Sequence, residues 1–140
     1  MNITLHVIDD DDRSRKLAAD VLASQGFRVH ASGTAAEAQA QLLAHGADLV
    51  LLDIQLPDSD GFALIGWIQT QPTLRDVPVV ALTASVMPAY RGRIEECGFA
   101  GYIAKPLTSV RQFVQTVCGH LPATLQAQVP PHLLPPAATR

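Results

Sequence analysis

The chain has 140 residues, 48% of them hydrophobic and 5% aromatic, with a formal net charge of −3 at pH 7. That length suits one domain, and the apolar fraction is too high for a disordered chain. The charge excludes a basic nucleic-acid footprint, the few aromatics argue against a base-stacking platform, and no apolar run approaches the ~20 residues that span a bilayer.

Strand and helix signals alternate along most of the chain. Ile3 to Ile8 is a short apolar run that stops at four consecutive aspartates, Asp9 to Asp12. A helix follows, with Leu17, Val21 and Leu22 as its apolar stripe, Asp11 or Asp12 as its cap and Gly26 as its stop. Phe27 to Ala31 alternates like a strand, and Thr34 caps a helix over Ala35 to His45 that Gly46 ends. Asp48 to Asp53 is continuously apolar in its middle, as a strand buried on both faces should be. After a polar loop, Gln55 to Gly61, helix resumes with Phe62, Ile65 and Ile68 and ends near Gln71-Pro72. Val77 to Thr83 reads as strand, Pro88 to Glu96 as helix and Gly101 to Ala104 as a short strand. Val110, Phe113, Val114, Val117 and Leu121 mark a last helix.

Five strand–helix units joined by short crossovers imply an α/β fold with a parallel sheet covered on both faces. The predicted domain is residues 1–120. Residues 121–140, with five prolines and no helical period, read as a partly extended tail or linker without an output domain. The N-terminus has no basic n-region, so a signal peptide is not expected. Cys97 and Cys118 fit no metal spacing and read as free thiols in a reducing compartment. The five histidines show no ligand spacing. Asp58-Ser59-Asp60-Gly61 looks like part of a calcium loop, but the slots that an EF-hand fills with acids hold Leu56 and Trp67.

In an open α/β sheet, ligands bind outside the carboxyl ends of the strands. The first strand ends in Asp9 and Asp10, the third in Asp53, the fourth in Thr83 and Ala84, and the fifth in Lys105-Pro106. Converging carboxylates repel, and a hard divalent cation such as Mg²⁺ relieves that cost with a few oxygen ligands.

The chain resembles the receiver domain of two-component response regulators. The resemblance rests on Val7-Ile8-Asp9-Asp10, Leu51-Leu52-Asp53, Pro57 with Asp60-Gly61, Leu82-Thr83-Ala84 and Lys105-Pro106, in that order and each at a strand end or the following loop. It implies a flavodoxin-like (βα)₅ sheet of order 2-1-3-4-5. It also implies that Asp53 accepts a phosphoryl group from a histidine kinase or phosphotransfer protein. Asp10 would bind Mg²⁺ directly, Asp9 through a water, and Gln55 through its backbone carbonyl. Lys105, Thr83 and Ala84 would contact the phosphoryl oxygens, Gln55 and Ser85 would tune the lifetime, and Thr83 with Tyr102 would form the switch. The Lys105-Pro106 bond would be cis. A downstream effector would read the face made by the fourth helix, fifth strand and fifth helix. Expected with this are a cytoplasmic location, no direct contact with nucleic acid or membrane, and a monomer or phosphorylation-dependent dimer.

Two alternatives stand beside it. One is an aspartyl-phosphate phosphatase of the haloacid-dehalogenase type, with Asp9 as nucleophile and Asp11 as acid/base. Its motif normally carries Thr or Val where this chain has Arg13. The other is a pseudo-receiver, an interaction module that takes no phosphate.

Overall fold

The computed structural model describes residues 1–84 and 88–135. Five strands alternate with helices: β1 (Thr4–Ile8), α1 (Asp12–Ser24), β2 (Arg28–Ser32), α2 (Ala35–His45), β3 (Leu49–Asp53), α3 (Gly61–Thr70), β4 (Val79–Thr83), α4 (Pro88–Glu96), β5 (Gly101–Ala104) and α5 (Val110–Gly119). A short α6 (Ala123–Gln126) and a single 3₁₀ turn (Pro131–Leu133) follow.

The strands form one parallel sheet of order β2-β1-β3-β4-β5, the predicted order. β3 and β4 are buried along their whole length, which is why their sequences are apolar without alternation. The core divides into two clusters, one on each face. On one side Leu5, Val7, Leu49, Leu51, Val80 and Leu82 pack against Ala18 and Leu22 of α1 and Phe113, Val114 and Val117 of α5. On the other, Ile8, Val50, Leu52, Val79 and Ala81 meet Leu42 of α2, Leu64, Ile65 and Ile68 of α3, and Ile94 of α4. Each fully buried Leu or Ile side chain contributes roughly 1.5–3 kcal/mol relative to exposure.

Local chemistry sets the helix ends. Asp11 caps α1, accepting from the N–H groups of Arg13 at 2.9 Å and Ser14 at 3.1 Å. Thr34 caps α2 through Glu37 N–H, Asp60 caps α3 through Ala63 N–H, and Ser109 caps α5 through Gln112 N–H. Gly26 and Gly46 close α1 and α2 with φ of +99° and +68°, a region that favours glycine.

Two sequence expectations are corrected. Leu17 is not on the buried stripe of α1. It is 45% exposed, while Ala18 and Leu22, one helical turn apart, face the sheet. The 100° step carries Leu17 past the contact edge, where it lines a cleft with Lys105, Pro106 and Leu107. The tail was expected to run partly extended after His120. Instead α6 and the 3₁₀ turn fold it back along α5, and Leu121, Val129 and Leu133 are buried in the α1–α5 cluster. Gln126 Nε2 donates to Gly119 O at 3.1 Å and Leu121 O at 3.0 Å, so the segment also satisfies the end of α5.

A third difference concerns the histidines. The His30 and His45 rings stack at 4.3 Å, and the His6 ring lies 6.3 Å from that of His30. The sequence spacing gave no sign of this, because β1, β2 and the end of α2 bring them together. They form no metal-capable group; among the described residues that distinction belongs to Asp9, Asp10 and Asp53. Cys97 and Cys118 are free thiols.

Candidate metal and phosphoryl site

The acidic pocket lies where β1, β3 and β5 end. β1 and β3 are adjacent in the sheet, so their ends place Asp9 and Asp53 side by side. One carboxylate oxygen each from Asp9, Asp10 and Asp53 lies within 4.8 Å of the others. Asp9 is 1% exposed and Asp53 6%, whereas Asp10 faces solvent.

Every oxygen of the two buried acids has a defined partner. Asp9 Oδ1 accepts from Asp11 N–H at 3.0 Å, and Asp53 Oδ1 accepts from Gln55 N–H at 2.9 Å. Lys105 Nζ donates to Asp9 Oδ2 at 3.0 Å and to Asp53 Oδ2 at 3.1 Å. The Lys105 amide donates to Thr83 O at 2.8 Å, which extends β4–β5 pairing to the residue that carries the ammonium. The Lys105-Pro106 peptide bond is cis.

The charges do not balance: one ammonium faces three carboxylates. Burial pushes the Asp53 carboxyl up to about 6, against the opposing pull of Gln55 N–H and the Lys105 ammonium. Burial lowers Lys105, but its bonds to Asp9 and Asp53 outweigh that and leave it raised above the ordinary lysine value. The donor set is all hard oxygen, partly buried and still surplus in negative charge. Those are the properties that suit a small divalent cation such as Mg²⁺.

The remaining predicted residues lie around this core. Thr83 is 2% exposed at the end of β4, and Ala84 lies exposed just beyond it. Thr83 pairs with Ala104 and Ala81 with Tyr102, so Thr83 and Tyr102 share one face of the sheet on adjacent strands. Tyr102 is 36% exposed, and the Arg91 guanidinium stands 5.4 Å from its ring centre. Gln55 is exposed at the start of the loop after Asp53. Ser85 lies outside the described residues.

Two neighbours of the pocket were not read from the sequence as belonging to it. Arg15 Nη1 donates to the Asp9 carbonyl at 2.9 Å, while its Nη2 pairs with Asp12 at 2.6 Å. Asp58 joins the loop after Asp53 to the start of α2. Neither contact leaves a sequence signal beyond the residue type. Gly61 ends that loop where a Cβ would stand 2.6 Å from Ile54 Cα and 2.9 Å from the Asp53 carbonyl, so the close approach requires glycine.

Comparison with known proteins agrees with this geometry. The family model for the response regulator receiver domain matches residues 5–117. The polar-differentiation response regulator DivK of Brucella ovis is 32% identical over 121 residues, covering 86% of this chain and 98% of that protein. The receiver domain of HemR from Leptospira biflexa superposes with a TM-score of 0.71 at 30% identity, covering 80% of this chain and 88% of that one. The chemotaxis protein CheY4 of Vibrio cholerae, at 21% identity, shares the fold with a TM-score of 0.82, covering 86% of this chain and all of that one.

Proposed function

The chain belongs to the response regulator receiver domain family, and from that premise we propose that Asp53 takes a phosphoryl group from a phosphohistidine with Mg²⁺ at the pocket. As a receiver domain it is a signalling module of two-component systems and not an enzyme in the ordinary sense. Membership also implies a histidine kinase partner. We place the phosphoryl-accepting unit in residues 1–120, with the segment that follows docked on its α1–α5 side. No described helix is long and apolar enough to cross a membrane, and a kinase-coupled receiver works in the cytoplasm.

One observation carries the reading: a single ammonium, Lys105 Nζ, bridges Asp9 and Asp53 beside Asp10 at the carboxyl edge of the sheet. An Asp53 carboxylate oxygen attacks phosphorus in line. The P–O bond forms as the P–N bond to the donor imidazole breaks, and the imidazole keeps the electron pair and takes a proton from solvent. The transition state is loose and carries its charge on the equatorial oxygens, so positioning and counter-charge dominate. Asp10, Asp53 and the Gln55 carbonyl would hold Mg²⁺ directly and Asp9 through a water, and the ion would supply part of that counter-charge. Lys105 supplies the rest by turning from the carboxylates to a phosphoryl oxygen. The Thr83 hydroxyl and the Ala84 N–H donate to another. The side chains at Gln55 and Ser85 govern water access and so the lifetime of the acyl phosphate.

Thr83 drawn toward the phosphoryl group vacates space behind it, and Tyr102, now outward beneath Arg91, turns in. An effector reading α4, β5 and α5 then distinguishes two states.

The test is incubation with Mg²⁺ and either a histidine kinase or a small phosphoryl donor, followed by peptide mapping. The phosphoryl group is expected on Asp53, and Asp53→Ala abolishes it. A label on Asp9 would identify a haloacid-dehalogenase type of nucleophile instead. No label, with no amide shifts around Asp53 on adding beryllium fluoride and Mg²⁺, would identify a pseudo-receiver.

A further inference from the structure

The loop after Asp53 is closed on itself. Gln55 and Asp60 pair as an isolated bridge, Leu56 N–H donates to Ser59 O at 3.2 Å, and Gly61 N–H donates to Ile54 O at 2.9 Å. These bonds set the loop's shape but not the position of its tip against the rest of the molecule. Asp58, near that tip, reaches outward. Its Oδ1 accepts from Ala35 N–H at 2.8 Å and its Oδ2 from Ala36 N–H at 3.1 Å.

Both amides belong to the first turn of α2, where N–H groups lack intrahelical partners and the helix end is partially positive. Yet α2 already has a cap: Thr34 Oγ1 accepts from Glu37 N–H at 3.1 Å. The helix therefore starts with its own capping residue and with a second oxygen pair delivered from a different strand's loop. What the second pair adds is a fixed relation between two loops. Those loops line one groove, in which Gly33, Thr34 and Pro57 stand beside Asp10.

We propose that Asp58 is a positioning residue for the metal pocket, clamping the loop tip to α2 so that Gln55 is held where its carbonyl completes the set of Asp9, Asp10 and Asp53. The proposal rests on the Mg²⁺ reading of that pocket. The linkage from clamp to pocket is short and has little slack. Gln55 N–H is bonded to Asp53 Oδ1 at 2.9 Å, so movement of Gln55 also turns the acceptor carboxylate. At the loop's far end, Gly61 is pressed against the Ile54 and Asp53 backbone. A tip freed from α2 lets Gln55 swing about these two fixed points.

The experiment uses the full chain without phosphate and needs no turnover. Mg²⁺ is titrated into the wild type, Asp58→Ala, Asp58→Asn and Thr34→Ala, and followed by the Gln55 amide shift and by Trp67 fluorescence, since α3 begins where the loop ends. Loss of an outer-shell partner typically weakens metal binding about 10- to 100-fold; a clamp one step further out is expected to cost about three- to tenfold. Asp58→Asn keeps an acceptor oxygen and should recover most of the affinity. Thr34→Ala removes the helix's own cap but leaves the Asp58 acceptors in place, and should lower stability to urea while costing less Mg²⁺ affinity than Asp58→Ala does.

If Asp58→Ala binds Mg²⁺ as the wild type does, or if Thr34→Ala loses as much affinity, the clamp role is wrong while the metal site stands. A wild type indifferent to Mg²⁺ overturns both. Should Asp58→Ala not fold, the titration is made on Asp58→Ser, a turn-compatible residue whose side chain cannot reach both α2 amides; unchanged Mg²⁺ affinity and an unmoved Gln55 amide in that variant overturn the proposal.

Discussion

Lys105 Nζ reaches Asp53 Oδ2 at 3.1 Å across the end of β4, joining two strands that are not neighbours in the sheet. The ammonium is thus held at the pocket by two anions, which on the proposed mechanism it leaves when a phosphoryl group arrives.

Replacing it has two expected effects. Lys105→Ala removes a preorganised positive group from the transferred oxygens and should slow phosphorylation of Asp53 by about 10²-fold or more. In the metal-free protein it also removes a pull that opposes the burial of Asp53, so the carboxyl should titrate above its present value of about 6. Phosphotransfer rates and a carbon-detected NMR titration of Asp53 measure the two. An unchanged titration would mean that the ammonium does not engage Asp53 in solution.

Thr83→Ala separates acceptance from signalling. The variant should still be labelled on Asp53, more slowly. Its Tyr102 ring signals should no longer respond to beryllium fluoride with Mg²⁺. The effector affinity ratio between the two states, on the order of 5- to 150-fold for a coupling of this kind, should collapse toward one. A Tyr102 ring that responds as in the wild type rules out the coupled pair.

His6 predicts acid sensitivity. Its ring is buried on β1, with Nε2 2.7 Å from Ser32 Oγ and, among the described residues, no hydrogen-bond partner for Nδ1. Burial, with help from the neighbouring His30 and His45, pushes its pKa down to about 4 from the ordinary 6.5. The folded state holds the neutral ring while the unfolded chain takes up a proton. Stability from this residue is therefore complete above about pH 6.5 and drains as pH falls toward about 4, by roughly 3 kcal/mol. Urea unfolding at a series of pH values should show this slope, and His6→Leu with Ser32→Ala should flatten it. An equal slope in both proteins would place the acid sensitivity elsewhere.

The segment after α5 is part of the core. Leu133→Ala removes a buried side chain from the α1–α5 cluster and should cost about 2–3 kcal/mol in urea unfolding, with Asp53 phosphorylation unaffected in the folded protein. A change below about 0.5 kcal/mol, the scale of a surface substitution, would mean that the segment is not docked in solution.

Much was legible before the structure. The alternation of strand and helix, the cap Thr34, a cap at Asp11 or Asp12, and the stops Gly26 and Gly46 all follow from interactions within a few residues. The site was legible for a related reason: each strand delivers its polar residue at its own carboxyl end, and a parallel sheet aligns those ends. What the sequence by itself determined is therefore the set of elements and the chemistry along one edge of the sheet.

Tertiary structure alone decided the rest. Lys105 meets Asp9 and Asp53 across 96 and 52 residues of chain, and Asp58 meets Ala35 across 23. His6, His30 and His45 become neighbours only because β1 and β2 pair and α2 ends beside them. Val129 and Leu133 sit in a proline-rich run without period, so nothing local marks them as buried; the groove that takes them exists only once α1 and α5 lie on the sheet. Periodicity and capping are properties of a short stretch of backbone. Burial and pairing between distant side chains are properties of surfaces that form only when those stretches pack.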